Sequence, residues 1–141
     1  MSGLVEITAH VEGLLHEETQ LRDRGLDLTL ADVREIEEPG RVDFGGGELE
    51  DAGTTPHERT RRDPEDEYQW WYLDAGSYLI EYNESLTSEK PLTIQPRDAL
   101  LARGAFHPTV TVKKLDSIPL SVGGAGIRLK ENARVSTLLA E

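Results

Sequence analysis

Short apolar segments separated by turn residues recur along the chain after residue 67. Each segment is three to five residues long and rich in β-branched, aromatic or leucine side chains, a pattern typical of strands. Glycine, proline or asparagine stands between many of them, and these residues interrupt regular structure. Many short strands with little helix predict an all-β barrel or sandwich. The segments are residues 70–73, 78–82, 92–94, 110–112, 118–122, 127–129 and 135–139.

The N-terminal region predicts one helix and the first strands. Apolar residues recur at helical spacing over residues 4–15, which predicts a short amphipathic helix. Apolar and polar residues alternate over residues 26–30, the pattern of a half-buried strand. Residues 33–36 predict another short strand, which ends before the Pro-Gly pair at 39–40.

Two glycine-rich regions are predicted to be loops. Residues 45–67 hold three successive glycines, two prolines and mixed charges, with almost nothing apolar, so we expect a long surface loop or a partly disordered insertion. The basic residues in it have acidic neighbours, and we expect no anion site there. Residues 123–126 resemble a phosphate loop in composition, but strand residues follow them where a helix should begin. This second region predicts a hairpin turn.

Composition limits the partners and the setting. The 141 residues carry 27 acidic and 15 basic side chains, a net charge of -12, which repels nucleic acids and anionic membranes. An acidic, solvated surface is common in proteins from a high-salt cytoplasm, where salt screens the repulsion, so we expect folding to weaken at low ionic strength. There is no cysteine, the four histidines lack metal-ligand spacing, and neither a basic leader nor a membrane-spanning run is present. We expect one soluble, cytoplasmic domain over residues 1–141.

Five segments stand in a fixed order from residue 25 to the C-terminus. They are residues 25–30 (Gly-Leu-Asp-Leu-Thr-Leu), 74–84 (Asp-Ala-Gly, a strand, then Asn-Glu), 96–104 (Pro-Arg-Asp-Ala-Leu-Leu-Ala-Arg-Gly), 111–116 (Thr-Val-Lys-Lys-Leu-Asp) and 132–138 (Asn-Ala-Arg-Val-Ser-Thr-Leu). Together they resemble the dUTPase and dCTP deaminase superfamily. Its motifs are x-Asp-Leu-x-Leu, a Pro-Gly turn before a strand ending in Glu, Arg-Ser-Ser-Leu-x-x-Arg-x-Gly, Thr-Ala-x-x-Ile-Asp and Gly-x-Arg-Ile-x-Gln-Leu.

The resemblance implies the fold, the assembly and the phosphate-binding residues. The expected fold is a dUTPase-like β-barrel with a short N-terminal helix, and the expected assembly is a homotrimer with substrate sites between subunits. Arg97 and Arg103 match the two arginines of the signature, in which Asp98 and Gly104 also fall. Guanidinium groups suit the oxygens of a deoxynucleoside triphosphate. The alternative for both arginines is a buried ion pair at a subunit interface.

Two aspartates match the family's acidic positions. Asp116 stands where dUTPases carry the residue that activates the attacking water. Asp27 matches the first-motif aspartate, which lies near the phosphate and metal site, so the resemblance implies a catalytic and metal-binding role with Mg²⁺ as cofactor. The alternative for Asp27 is a structural carboxylate at a turn or strand end.

The departures from the motifs separate the candidate activities. Asp98 and Ala99 replace the two signature serines, which removes two hydroxyl donors and adds a charge that repels phosphate. No carboxylate occupies residues 118–122, where deaminases carry a catalytic Glu, and the sequence ends at Glu141 without the tail that closes over the nucleotide in relatives. We therefore expect hydrolysis of dUTP to dUMP and pyrophosphate rather than deamination of dCTP. The alternative is a catalytically degenerate paralogue that binds a nucleotide or serves as a structural or regulatory trimer.

An aromatic cluster at Tyr68, Trp70, Trp71 and Tyr72 fits no motif. It predicts either a surface that binds a partner or alternating burial within the barrel.

Overall fold

A computed structural model describes residues 7–140, and the predicted all-β class is confirmed. Most strands are short, as the spacing of turn residues predicts. The described strands are β1 (Val11–Glu12), β2 (Leu21–Arg22), β3 (Gly25–Glu38), β4 (Gly53–Pro56), β5 (Trp70–Leu73), β6 (Gly76–Tyr82), β7 (Ser85–Leu86), β8 (Leu92–Pro96), β9 (Ala105–Phe106), β10 (Val110–Val112), β11 (Ile118–Val122), β12 (Ile127–Lys130) and β13 (Arg134–Leu139), and the described helices are α1 (Glu17–Gln20) and α2 (Asp98–Leu101).

The long strand β3 organises the main sheet. The order of strands is β10-β8-β13-β3-β6-β11-β9, with β2 and β4 also paired to β3. The N-terminal half of β3 pairs antiparallel with β13, and the C-terminal half pairs antiparallel with β6. A bulge between Leu30 and Asp32 marks this change of partner. Bulges bend strands and increase their twist, so the antiparallel sheet curls around its core.

Gly25 explains why the first motif begins with a small residue. Its φ is +155°, and a Cβ there would lie 2.0 Å from the carbonyl oxygen of Leu138 on the neighbouring strand. Only glycine permits this close approach of β3 and β13. This close approach fixes the register of β3 and β13, in which Asp27 lies opposite Thr137.

Apolar side chains inside the curl form one core cluster. Its largest member is Trp71 on β5, which is fully buried, whereas Tyr68 and Tyr72 are exposed. The aromatic cluster of residues 68–72 is therefore divided between core and surface, as the predicted alternation requires. The most deeply buried core residues include Leu26, Leu28, Leu30, Val33, Trp71, Ile80, Ile94, Leu120 and Leu138.

The seven strand segments predicted after residue 70 are confirmed within one or two residues. The N-terminal helix is shorter than predicted. Residues 1–6 lie outside the described residues, Ile7 and Thr8 are helical, and Val11–Glu12 forms strand β1 paired with β7. The helical spacing of the apolar residues gave a wrong prediction here. Ile7 is helical and Val11 lies in a strand, yet both side chains are buried in the core.

Two further expectations need correction. Residues 26–30 are not half-buried, because polar Asp27 and Thr29 are each only 2% exposed. Residues 123–126 form a turn, with Gly126 N–H donating to the carbonyl of Gly123, but not a hairpin. The strands that flank the turn pair elsewhere, β11 with β6 and β9, and β12 with β5.

Most of residues 45–67 lie on the surface outside regular structure, except for strand β4. Arg59 in this region contacts Asp32 at 3.3 Å and Glu131 at 3.0 Å. Its guanidinium also lies 4.8 Å from the ring centroid of Trp71. These contacts attach the segment to the sheet.

Candidate functional site

A buried carboxylate bound by two arginines lies at the centre of the candidate site. Asp27 Oδ2 lies 3.2 Å from Arg97 Nε and 3.2 Å from Arg134 Nη1. Its other oxygen, Oδ1, accepts a 3.0 Å hydrogen bond from the Thr137 hydroxyl. A buried charge needs such partners, because an isolated carboxylate is strongly disfavoured in the interior. We call Asp27, Arg97, Arg134 and Thr137 the Asp27 cluster.

The strand register assembles this cluster from distant parts of the chain. Thr137 on β13 lies directly opposite Asp27 on β3. Arg97 follows β8, and its backbone N–H donates to the carbonyl of Val135 at 3.0 Å. The Arg97 side chain then donates from Nη1 to the Arg134 carbonyl at 3.0 Å. Three neighbouring strands therefore hold the two guanidinium groups against one carboxylate.

A second buried carboxylate, Glu84, holds the other side of β3. Glu84 is 3% exposed and accepts hydrogen bonds from the Thr29 hydroxyl at 2.6 Å and the Thr29 backbone N–H at 2.9 Å. Gln20 Nε2 donates both to Glu84 and to the Asp27 carbonyl, each at 2.9 Å. These bonds fix the backbone beside the Asp27 cluster.

The first cavity opens at the Asp27 cluster and has a volume of about 260 Å³. Asp27 and Arg97 line it together with Arg24 and Asp98. The Asp98 side chain is 89% exposed, and its carboxylate lies 3.9 Å from Arg24 Nη1. The charge that replaces a signature serine is therefore in solvent.

The second cavity has a volume of about 510 Å³ and adjoins the first, since Ala99 lines both. Arg103, Arg128 and Arg134 line it, and none of the acidic side chains among residues 7–140 does. Its remaining walls are largely apolar, including Leu100, Ile127, Leu129 and Val135. A concave, cationic and partly apolar surface suits an anion that also carries an apolar part.

The third cavity, of about 850 Å³, contains Asp116. Asp51, Glu81 and Tyr82 also line it. The Asp116 side chain is 75% exposed and lies 3.8 Å from Lys114 Nζ. A single chain therefore places Asp116 in a different cavity from Arg97 and Arg103.

The predicted site residues thus separate into three groups. Asp27, Arg97 and Asp98 line the first cavity, Arg103 lines the second and Asp116 lines the third. Gly104 lines none of these cavities. It ends the turn after α2 with φ +89°, and its carbonyl accepts from Gly123 N–H.

Sequence reasoning did not assign Arg128 and Arg134 to the site. Arg134 was visible as the arginine of the closing motif, which is the signal that could have found it. Arg128 has no such signal, because it lies between apolar residues of an ordinary strand. Its guanidinium packs 5.0 Å from the ring centroid of Tyr72.

The Asp27 cluster does not fit a metal ion bound directly by Asp27. Both carboxylate oxygens are engaged by donors, and two cationic groups lie at 3.2 Å. Mg²⁺ requires oxygen ligands in octahedral geometry, and neighbouring cations oppose its binding. Among residues 7–140, no group of three or more His, Asp or Glu side chains is arranged to hold a metal ion.

A buried hydrogen-bonded chain connects the third cavity to the core. His107 Nδ1 lies 2.8 Å from the Pro108 carbonyl and must donate to it, so the neutral ring accepts at Nε2 from Ser136 Oγ at 2.7 Å. Ser136 Oγ then accepts from the Tyr82 hydroxyl. Burial lowers the pKa of His107 and raises the pKa of Tyr82, so both groups are neutral at pH 7.

Curated relatives match the chain over most of its length. It is 33% identical to a probable deoxyuridine 5'-triphosphate nucleotidohydrolase of Methanosarcina acetivorans, with 96% of this chain and 81% of the relative covered. It is 30% identical to the probable deoxyuridine 5'-triphosphate nucleotidohydrolase of Methanosarcina mazei, with 92% of this chain and 76% of the relative covered. No protein-family model matches the chain.

A solved structure supports the fold. The crystal structure of 2'-deoxycytidine 5'-triphosphate deaminase from Agrobacterium tumefaciens matches with a TM-score of 0.61 and 14% sequence identity. The match covers 93% of this chain but only 43% of that one.

In the part of the chain that the structure describes, no helix is long and apolar enough to span a membrane.

Proposed function

The chain belongs to the dUTPase and dCTP deaminase superfamily, and we propose that it hydrolyses dUTP to dUMP and pyrophosphate. The observation that carries the proposal is the second cavity, which Arg103, Arg128 and Arg134 line in a chain of net charge -12. Such a local concentration of guanidinium groups attracts a polyphosphate although the whole molecule repels one.

In the proposed reaction, arginines hold the phosphates and an aspartate activates water. Arg97, Arg103 and Arg134 bind the triphosphate and stabilise its charge as the bond between the α-phosphate and pyrophosphate breaks. Asp116 accepts the proton of the attacking water. Asp116 lines a different cavity from these arginines, so we propose that a neighbouring subunit of a homotrimer supplies it.

We propose Mg²⁺ as the cofactor, which would neutralise charge on the triphosphate. This ion commonly enters nucleotide sites together with the substrate phosphates and keeps several waters. The proposal assigns Mg²⁺ no ligand in the Asp27 cluster, and the arginines supply the protein's positive charge.

The exposure of Asp98 to solvent weakens the repulsion between its carboxylate and a bound phosphate. A carboxylate 4 Å from a phosphate charge costs about 1 kcal/mol in water and about 4 kcal/mol at an effective dielectric constant of 20. The Asp98 side chain is 89% exposed and lies near Arg24, so the smaller figure applies. Asp98 therefore weakens binding without preventing it.

Deamination of dCTP has less support from the residues. Strand β11 (Ile118–Val122) carries the sequence Ile-Pro-Leu-Ser-Val and supplies no carboxylate to shuttle protons at the base. A catalytically degenerate, nucleotide-binding trimer is the alternative. The loss of the signature hydroxyls at Asp98 and Ala99 favours this alternative.

Product assays on the wild type and one variant test the proposal. Purified protein in molar salt with Mg²⁺ should release pyrophosphate from dUTP and should not convert dCTP to dUTP. Asp116→Asn should lower the rate by roughly 10²- to 10⁴-fold, the usual contribution of a positioned base. Asp74→Asn, an exposed aspartate outside the three cavities, is the matched control and should retain the wild-type rate.

Three results would count against the proposal. Conversion of dCTP to dUTP would favour the deaminase. An unchanged rate in Asp116→Asn would remove Asp116 from the mechanism. A rise in melting temperature with dUTP but no turnover would favour the degenerate trimer.

A further inference from the structure

We propose that Asp27 is a positioning residue that aims Arg97 and Arg134 at the substrate phosphates, and that it is not a metal ligand. The proposal rests on the proposed function, since it concerns the phosphate end of the same site. It departs from the role that the sequence resemblance implies for Asp27. Three observations support it: the engagement of the carboxylate, the donors left over on the arginines, and the charge balance.

Both oxygens of the Asp27 carboxylate are bound by protein donors. Oδ1 accepts from the Thr137 hydroxyl, and Oδ2 accepts from Arg134 Nη1 and forms an ion pair with Arg97 Nε at 3.2 Å. The side chain of Asp27 is only 3% exposed, whereas those of Arg97 and Arg134 are 25% and 31% exposed. The two arginines are therefore much more exposed at the cavities than the carboxylate is.

Each arginine keeps donors for a ligand. Arg97 uses Nε and Nη1 for Asp27 and the Arg134 carbonyl, and Arg134 uses Nη1 for Asp27 and the Thr19 carbonyl. Among residues 7–140, Arg97 Nη2 and the Nε and Nη2 atoms of Arg134 donate to no protein acceptor, and none of these atoms is buried without a partner. Arg97 lines the first cavity, and Arg134 lines the second. One carboxylate therefore orients a guanidinium group in each of two adjoining cavities.

The charges in the Asp27 cluster favour an anion. One carboxylate faces two guanidinium groups, which leaves a net positive charge beside the cavities. This charge attracts phosphate and repels a divalent cation. The first cavity also contains Arg22 and Arg24 together with Asp23 and Asp98, which offset each other.

Asp32 provides a matched comparison within the same chain. It also lies near two arginines, at 3.6 Å from Arg34 and 3.3 Å from Arg59. Arg59 is further bound by Glu131, and Arg34 donates to Thr54. Since these donors are engaged within the protein and neither arginine lines the three cavities, Asp32 serves as a control.

Binding of pyrophosphate without metal separates the two roles of Asp27. Calorimetry in molar salt with EDTA would compare the wild type with Asp27→Asn and Asp32→Asn. If Asp27 positions the arginines, Asp27→Asn weakens binding by about tenfold or more, as loss of an orienting partner does at other ligand sites. Asp32→Asn leaves the affinity unchanged.

If Asp27 were a metal ligand, Asp27→Asn would change the affinity for pyrophosphate in the opposite direction. Without metal, removing a negative charge from a preformed anion site tightens binding of pyrophosphate. Equal or tighter binding by Asp27→Asn therefore overturns the proposal, as does a wild type that binds no pyrophosphate. Because this assay needs no turnover, weaker binding by Asp27→Asn upholds the positioning role even if dUTP is not hydrolysed.

A second variant tests the proposal if Asp27→Asn misfolds, since that change leaves two partly buried cations without their anionic partner. Arg97→Lys keeps a charge that can pair with Asp27 but loses the second donor of the fork. It should bind pyrophosphate about tenfold more weakly while Arg59→Lys, its control, binds as the wild type does. Undiminished affinity in a folded Arg97→Lys would contradict the proposal.

Discussion

At the scale of single residues, charge and burial decide which groups act on a ligand and which support the fold. Asp27 and Glu84 are both buried, but only Asp27 is bound by cations that reach a cavity. Glu84 is bound by neutral donors from Gln20 and Thr29. This difference is why we propose a role at the site for Asp27 and a structural role for Glu84.

Replacing Asp98 by the serine of the family signature should lower the KM for dUTP. Asp98→Ser removes a solvent-exposed negative charge and restores a hydroxyl donor beside Arg97. Removing about 1 kcal/mol of repulsion corresponds to a KM for dUTP lowered by roughly fivefold. Steady-state kinetics in molar salt measures this change, and Asp74→Ser is the control. A raised KM would show that Asp98 assists binding.

Acid should destabilise the protein through His107. Burial lowers the pKa of His107 in the folded state below the value of about 6.5 that unfolded histidine has. Above about pH 6.5 the residue is neutral in both states and its contribution is complete. As the pH falls from there through the folded-state pKa, the unfolded state binds the proton more tightly and stability is lost.

Urea unfolding of the wild type and His107→Asn between about pH 5 and 7.5 measures this effect, because carboxylates titrate mostly below that range. The variant should show a smaller loss of stability on acidification. Parallel curves for the two proteins would mean that His107 does not carry the pH dependence.

The residue pattern predicts candidate site residues, but it does not predict their environment. Asp27, Arg97 and Asp98 were predicted to share a site, and they line one cavity. The burial of Asp27 could not be predicted, because its partner Thr137 is 110 residues away along the chain. Local alternation shows which side chains are polar, and only the register of distant strands shows whether a polar side chain has a buried partner.

At the scale of elements, turns fix where the strands go. Gly126 ends the glycine turn with φ +74°, and a Cβ there would lie 2.5 Å from the carbonyl oxygen of Leu73. The turn carries the chain from the main sheet into the β5–β12 ribbon, where Arg128 reaches the second cavity. The backbone at Gly126 therefore positions an arginine of the candidate site.

Two alanine substitutions in this turn should differ in their effect on the free energy of unfolding. Gly126→Ala places a side chain in the left-handed region and against Leu73, and should lower the free energy of unfolding by at least about 1–2 kcal/mol. Gly124→Ala has open space and should change stability by less than about 0.5 kcal/mol. Urea unfolding compares the two, and equal effects would contradict the turn geometry.

Strand positions were largely predictable, because turn residues and apolar runs mark them locally. The two-residue strands β2, β7 and β9 were not predicted, since so short a segment carries no periodicity. The end of the N-terminal helix was also missed. Pairing of Val11–Glu12 with Ser85–Leu86 overrides a local helical pattern, and this pairing is not visible in either segment alone.

At the scale of the whole molecule, the account requires several copies of the chain. Asp116 and the arginines that we propose to bind phosphate line different cavities of one chain. Val42, Phe44 and Leu49, in the connection between β3 and β4, are each more than half exposed. Burial of these apolar side chains against a neighbouring subunit would stabilise an assembly.

Light scattering should show a trimer in about 1 M salt, where the Debye length is about 3 Å and the charge of -12 on each copy is screened. Phe44→Ser should weaken the trimer without lowering the fraction of folded protein measured by circular dichroism. A monomeric wild type in molar salt would contradict the shared site. Dissociation only at low salt would agree with charge repulsion between copies.

A ³¹P NMR time course of dUTP with the wild-type protein and Mg²⁺ in molar salt tests the proposed hydrolysis most directly. We predict that the three resonances of dUTP disappear and that dUMP and pyrophosphate appear in equal amounts. Unchanged dUTP in a folded, trimeric sample, or release of inorganic phosphate with dUDP, would contradict it.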